Sequence, residues 1–447
     1  MDGSLAWCKL LVLGPSDKGE AAEWLSIDGR DVRITHPTKP YFSKGTELSK
    51  IDLVRYYLAI APGALAGIYN RPIVLKRFVN GAESPAFYQK RAPADRPPWL
   101  RTTTLSFPSG RTAEEIVVDD TPGLVWIVNL GCIELHPHPI RSDDLEHPDE
   151  LRIDLDPGPA IAWPDVRAVA LEVQSLLEEV GLRGWPKTSG SRGMHVNVRI
   201  ERRWQFAEVR RAALALSRAI ERRVPALATS KWWKEERHGV FLDYNQNAKD
   251  RTTCSAYSVR PSLDARVSTP LHWHEVADCE PGDFTVRTVP QRFGKLGDPH
   301  ASMDHFPGSI EALLDLSARD EREGLGDAPW PPYFRKAEGE APRTPPRRAS
   351  APKKARAKAP LIVVANSPSR DAALAGLEKW KLRHIDAAQA LAPDDVLVDS
   401  MRGRSSTWTR IRINLRHVPE ALRPAPESPD PDDDPTREWR LHGRPKP

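Results

Sequence analysis

Leu151-Arg152-Ile153-Asp154-Leu155-Asp156 decides how this chain is read. A strand alternates its side chains between two faces at about 3.3 Å per residue, so Leu151, Ile153 and Leu155 can enter a core while Asp154 and Asp156 share the opposite face. Carboxylates that close repel unless something positive lies between them. Hard oxygen donors suit Mg²⁺ or Mn²⁺, and a pair of such ions roughly 3.5 to 4 Å apart is the recurrent device for in-line displacement at phosphorus. Downstream, Ser189-Gly190-Ser191-Arg192-Gly193-Met194-His195 sets two glycines where backbone N–H groups can approach phosphate oxygens closely. A third carboxylate, Asp243, closes Val240-Phe241-Leu242-Asp243-Tyr244, which reads as another strand.

The flanking residues give these motifs a frame. Residues 1–28 show no periodicity and are expected to form a disordered leader. From Ser49, an N-cap residue type, Ile51, Val54 and Leu58 fall at helical spacing. With strands at Ile73 to Phe78 and Cys132 to His136, residues 29–148 are expected to form an N-terminal α/β subdomain. The second, over residues 149–330, starts with the aspartate strand. Pro164 opens a helix striped by Val166, Val169, Val173, Leu176 and Val180 and stopped at Gly181. Met194, Val196, Val198 and Ile200 then alternate with polar residues as a strand, and a helix is expected from Phe206 to Arg223. Right-handed crossovers would lay these strands side by side and bring Asp154, Asp156, His195 and Asp243 to one sheet face. Residues 331–360, rich in Pro, Ala, Lys and Arg, are expected to be a disordered basic linker. A small C-terminal α/β unit over 361–420 and a disordered acidic, Pro-rich tail over 421–447 complete the chain.

At 447 residues there is sequence for two or three cores. The net charge of +4 is uneven: Lys336 to Lys358 carries +6, leaving −2 for the remainder, so the body would meet nucleic acid through local patches. No apolar run approaches the roughly 20 residues that span a bilayer. Four scattered cysteines without metal-ligand spacing point to reduced thiols in a cytoplasm and no structural zinc.

Four runs in order, Asp154-Leu155-Asp156-Pro157, Lys187-Thr188-Ser189-Gly190-Ser191-Arg192-Gly193-Met194-His195, Asp243-Tyr244-Asn245-Gln246-Asn247 and Ala256-Tyr257-Ser258-Val259-Arg260-Pro261, closely resemble the polymerase domain of bacterial DNA ligase D, in the archaeo-eukaryotic primase superfamily. The likeness covers roughly residues 28 to 310. It implies an α/β (α+β), primase-like fold whose catalytic sheet is RRM-like. It implies a template-directed nucleotidyltransferase that takes NTP or dNTP, favours ribonucleotides, fills gaps and extends ends at DNA double-strand breaks in non-homologous end joining, uses two Mn²⁺ or Mg²⁺ ions and works with Ku. The chain lacks a K-x-D-G adenylation motif, so a separate DNA ligase would seal the nick. The setting implied is the cytoplasm, at the nucleoid.

By motif position, Asp154 and Asp156 would bind both ions and Asp243 the one nearer the primer 3′-hydroxyl. Ser189, Gly190, Arg192, His195, Gln246 and Arg260 would hold the incoming nucleotide, with His136 at its edge. Arg192 stands where many relatives have lysine, a planar fork in place of a point charge. Lys39 and Lys50 match lysines that receive a 5′-phosphate at a gap, and Phe87-Tyr88 an aromatic pair that stacks on the template. Lys76 and Arg77 would add backbone contacts. Three rivals share these residues: a primase that starts chains unprimed, a non-catalytic DNA end-bridging protein, and an RRM-like cyclase. Each motif alone also has a plainer reading, a solvated strand end for D-x-D, a tight turn for the glycines and ordinary surface lysines at 39 and 50. Asp394, Asp395 and Asp399 are read as an acidic loop without chemistry.

Overall fold

Leu151 and Leu155 are fully buried and Ile153 nearly so, while on the other face Asp154 is half-buried and Asp156 exposed. That alternation puts the aspartate strand, Glu150–Pro157, at the centre of a five-stranded sheet. The structure, a computed structural model, describes residues 12–13, 22–107, 109–331, 334, 361–402, 407–425 and 427–434. It divides into two units, residues 1–345 and 346–447.

In the first unit the aspartate-bearing sheet runs in the order Gly184–Thr188, Met194–Arg199, Glu150–Pro157, Val240–Leu242, Ala228–Thr229. Helices Trp163–Glu179 and Phe206–Arg223 occupy the two crossovers, which gives the strand-helix-strand-strand-helix-strand order of RRM-like folds. The apolar stripe Val166, Val169, Val173 and Leu176 is buried as expected, and Gly181 takes the left-handed φ of +72° that ends the first helix. One expectation fails. The strands flanking the aspartates are antiparallel to them, and the crossover leads instead to Gly184–Thr188, one strand further out. The cause is the loop Ser189–Gly193: it is a hairpin, closed by Ser189 N–H donating to Gly193 O at 3.0 Å, and it turns the chain back beside the aspartates. Pro186 hid the intervening strand from a sequence reading. It is tolerated because the strand lies at the sheet edge, where residues 269–271 cover the backbone: Thr188 N–H donates to Thr269 O and Leu271 N–H to Pro186 O.

The N-terminal sheet runs Glu134–Pro137, Arg71–Arg77, Thr112–Val118, Thr102–Ser106, with Phe87–Gln89 also paired to Arg71–Arg77. Ser49 caps helix Lys50–Ala59 in a reciprocal capping box with Asp52, as its sequence position predicts. The leader boundary at residue 28 is corrected: Ala22–Ile27 pairs with Arg30–Thr35 across Asp28-Gly29, both at positive φ, a hairpin turn of the Asp-Gly type. The two expected subdomains are two sheets around one core, which extends from Leu25 to Leu313. Their seam is backbone pairing: Ser255 N–H donates to Leu135 O and Val259 N–H to Ile133 O. That seam carries Arg260 to the edge of the N-terminal sheet.

No single helix among the described residues is long and apolar enough to cross a membrane. The pair Lys50–Ala59 and Ala61–Ile68, bent by 82°, has enough apolar length together, but Leu53, Val54, Tyr57, Ala64 and Ile68 are spent in the core.

In the second unit Thr407–Asn414 lies between Leu361–Ser367 and Val396–Arg402, with helix Arg370–Arg383 packed on them around Trp380, Ile411 and Ile413. The tail boundary at 421 is corrected as well. Asn366 N–H donates to Pro431 O, Asp433 N–H to Asn366 O, and Asn366 bonds the Asp432 carboxylate at 2.8 Å, so the chain is held there as far as residue 434. The basic stretch 336–358 and residues 435–447 lie outside the described residues. Asp395 is taken up by Arg416 and His417, and Asp399 by Arg410 and Arg412.

Candidate active site

Three strands bring one residue each into a row across the sheet, and the residue just past the end of a fourth extends it. Lys187 lies in register with His195 and His195 with Asp154. The ladder then places Asp243, whose N–H donates to Asp154 O at 2.9 Å, beside Asp154 on the far side. Asp156 follows two positions on from Asp154, on the same face. The three carboxylates therefore converge, though they lie 89 positions apart at the extremes of the sequence. Asp243 Oδ1 accepts from Asn245 N–H and Oδ2 from Gln246 Nε2, both at 3.0 Å, which turns the side chain toward its partners. Asn245 is itself gripped by the buried Arg210, whose Nε donates to Asn245 Oδ1 at 2.7 Å.

The electrostatics follow from the crowding. The Asp154 carboxyl is pushed up to about 7, first by burial and then by the charges of Asp243 and Asp156; the Asp243 carboxyl is raised too, chiefly by burial. Because Asp154 binds its proton more tightly in the folded protein than in the unfolded chain, the stability this gives is fully present below the unfolded value of 3.8 and is lost as pH rises through about 7. In chelator the melting temperature is expected to fall between about pH 4 and pH 7, and Asp154→Asn to flatten that slope. Thermal melts across the pH range check this; an unchanged slope in the variant contradicts it.

The glycine hairpin packs against the same strand. Ser189 Oγ accepts from the N–H groups of Ser191 and Gly193, both at 3.1 Å. A Cβ at Gly193 would lie 2.2 Å from Leu155 O, and one at Gly190, where φ is +69°, would lie 2.5 Å from Arg260 Cγ. The glycines are thus required by the close approach of protein to protein, over and above any ligand. Arg192 is exposed, within 3.4 Å of Pro157 O.

The other wall belongs to the N-terminal sheet. Glu134 is buried, and one of its oxygens, Oε2, receives Lys76 Nζ at 2.8 Å, His136 Nε2 at 2.8 Å and Arg260 Nη1 at 3.2 Å. Burial alone would raise this carboxyl; the hydrogen bond from His136 and the charges of Arg260 and Lys76 hold it down to about 2. Sequence reasoning passed over Glu134, although it sits two positions before His136 and so shares its face. Phe87 and Tyr88 are 47% and 60% exposed, with Arg77 and Lys76 over their rings at 5.4 and 5.7 Å; consecutive on their strand, they make two exposed aromatic and basic pairs on opposite faces and not core. Lys39 is exposed. Lys50, expected with Lys39 to receive a 5′-phosphate, is buried, its ammonium donating to Thr35 Oγ1, Asn129 O and Asn129 Oδ1. Burial, then Lys39 and Arg77, push Lys50 down to about 8.

Residues 49–300 match the sequence model of the family described as LigD, primase-polymerase domain. The chain belongs to this LigD primase-polymerase domain family. It is 32% identical over 276 residues to the multifunctional non-homologous end joining protein LigD of Mycolicibacterium smegmatis, covering 61% of this chain and 36% of that one. The bifunctional LigD of Bacillus subtilis is 30% identical over 271 residues, 60% of this chain and 43% of its own. Among solved structures, the polymerase domain of Mycobacterium tuberculosis ligase D in complex with DNA superposes with a TM-score of 0.58 at 31% identity, over 61% of this chain and 98% of that one. The chain thus spans well under half of these full-length LigD proteins and nearly all of the solved polymerase domain. Membership in the primase-polymerase family makes it a DNA-directed nucleotidyltransferase.

The donor set fits divalent cations of the kind expected. Three carboxylates share one face, and burial together with the charges of Asp243 and Asp156 raises Asp154, a strain that a bound cation would relieve. Among the described residues no three Asp, Glu, His or Cys side chains are already drawn into a single cage. Asp154, Asp156 and Asp243 would hold such ions together with oxygens from outside the protein.

Proposed function

We propose that this LigD-type chain is a template-directed DNA repair polymerase of non-homologous end joining, filling gaps and extending ends at breaks with two Mn²⁺ or Mg²⁺ ions and favouring ribonucleotides. The observation that carries the reading is the register of Asp154 with His195 on one side and Asp243 on the other, with Asp156 beside them on the same sheet face. When bound, two divalent ions would offset charge on the α-phosphate and favour the attacking alkoxide. The protein's own part is placement and electrostatics. Ser189, Arg192, His195 and Arg260 hold the triphosphate by donor groups, while Gly190 shapes the loop beside it and Gln246 holds Asp243. His136 stands at the nucleotide's edge. Phe87 and Tyr88 stack on template bases and Lys76 and Arg77 contact its backbone. A 5′-phosphate settles on Lys39, with the buried charge of Lys50 behind it. Ku and a separate ligase are the partners that the task requires, at the nucleoid in the cytoplasm.

A fill-in assay tests this on 5′-phosphorylated gapped DNA, comparing NTP with dNTP and Mn²⁺ with Mg²⁺. Templated incorporation that needs a divalent ion and a primer is expected. Synthesis without a primer would favour the primase reading, and DNA binding without any incorporation the end-bridging one.

A further inference from the structure

His195 is flanked by two groups of opposite kind. On one side its Nε2 lies 3.4 Å from Asp154 Oδ1, on the side of the carboxylates; on the other its Nδ1 lies 2.7 Å from Lys187 Nζ. Lys187 is 1% exposed, so its ammonium must find all its partners within the protein. It finds three: His195 Nδ1, Cys254 O at 2.8 Å and Ser268 Oγ at 2.7 Å. Ser268 sends its own hydroxyl proton to Thr188 O at 2.8 Å, which leaves the oxygen free to accept. An ammonium has three N–H donors and no acceptor, so each of these contacts is a donation from lysine. A donation to Nδ1 requires a lone pair there.

We infer that Lys187 is a positioning residue that fixes His195 as the neutral tautomer carrying its proton on Nε2, the nitrogen that faces the carboxylates. The strand register makes the device rigid, since Lys187, His195 and Asp154 stand on three adjacent strands, and Cys254 O and Ser268 Oγ hold the ammonium from behind, Ser268 being fixed in turn by Thr188 O. It gives the site a fixed N–H donor aimed at an incoming oxygen and keeps the cationic charge one residue back, where it faces the carboxylates through the ring. Its role in nucleotide binding rests on the polymerase reading; the tautomer itself does not.

The test is ring ¹⁵N spectroscopy of the full chain labelled at histidine, without nucleotide, with His195 assigned by His195→Gln. The wild-type spectrum is expected to show Nε2 protonated and Nδ1 bare. Lys187→Gln, which can still donate to Nδ1 but bears no charge, should keep that pattern, while Lys187→Met should give a mixture of tautomers. In kinetics, Lys187→Met should raise the nucleotide KM about tenfold, the equivalent of one hydrogen bond, with Lys187→Gln nearer wild type and gapped-DNA affinity unchanged in both. A wild-type His195 protonated on Nδ1, or a Lys187→Met spectrum identical to wild type, overturns the inference. The wild-type measurement decides even where Lys187→Met fails to fold. A chain that incorporates no nucleotide yet shows the Nε2–H pattern refutes the polymerase reading and leaves this one standing.

Discussion

Asp156→Ala is expected to lower nucleotide incorporation on gapped DNA by about a thousandfold or more, the order found when a preorganised electrostatic group is removed from a reaction centre. The carboxylate is exposed at the end of its strand, so the substitution should leave stability within about 0.5 kcal/mol of wild type. Gapped DNA should bind as before, because the aromatic and basic pairs Lys76–Tyr88 and Arg77–Phe87 lie on the other sheet. One further consequence separates a lost cation ligand from a general disturbance: Asp156 is among the charges that raise Asp154, so its removal should lower the Asp154 carboxyl and move the loss of stability in chelator to lower pH. Single-turnover incorporation, DNA binding and pH-dependent melts on one preparation measure all three. Incorporation within tenfold of wild type would remove the aspartates from the mechanism.

What could be read without coordinates was whatever depends on near neighbours. The Ser49 cap, the stripe from Val166 to Leu176 and the alternation of Leu151, Ile153 and Leu155 are local patterns, and the structure bears each of them out. The Asp28-Gly29 hairpin was equally local and was passed over because the flanking strands mix polar with apolar residues. Gly184–Thr188 was hidden for another reason: proline argues against a strand unless an edge is known to be available, and edges are set by topology. The row of Lys187, His195, Asp154 and Asp243 shows the same division. Three of its members were legible as motif residues, and the motif order suggested that they meet. Lys187 was not singled out, since a lysine in sequence reads as solvated, and only the arrival of Cys254 and Ser268 from some 70 to 80 positions downstream makes its burial tolerable. Glu134 was missed likewise, as its three donors come from positions 76, 136 and 260.

Gly193→Ala is expected to be the most damaging single-carbon change near the site. The added Cβ would fall 2.2 Å from Leu155 O and 3.2 Å from Pro157 Cδ. Neither neighbour is a flexible side-chain end; both belong to the aspartate strand, between and just beyond Asp154 and Asp156. The hairpin has little freedom to back away, because Gly193 is fixed at both ends of its peptide, its O accepting from Ser189 N–H and its N–H donating to Ser189 Oγ. Relief requires the two strands to separate by about 1 Å, which overpacking of this kind makes cost roughly 1 to 3 kcal/mol. A shift of that size between the carboxylates and the triphosphate loop should reduce turnover by about a hundredfold. Gly282→Ala is the matched control, as a Cβ there meets no atom within 4 Å and the backbone is not left-handed. Denaturant unfolding and fill-in kinetics on the pair measure the effect, and a Gly193→Ala protein as stable and as active as the Gly282→Ala control would show that the loop and the aspartate strand are not in contact as described.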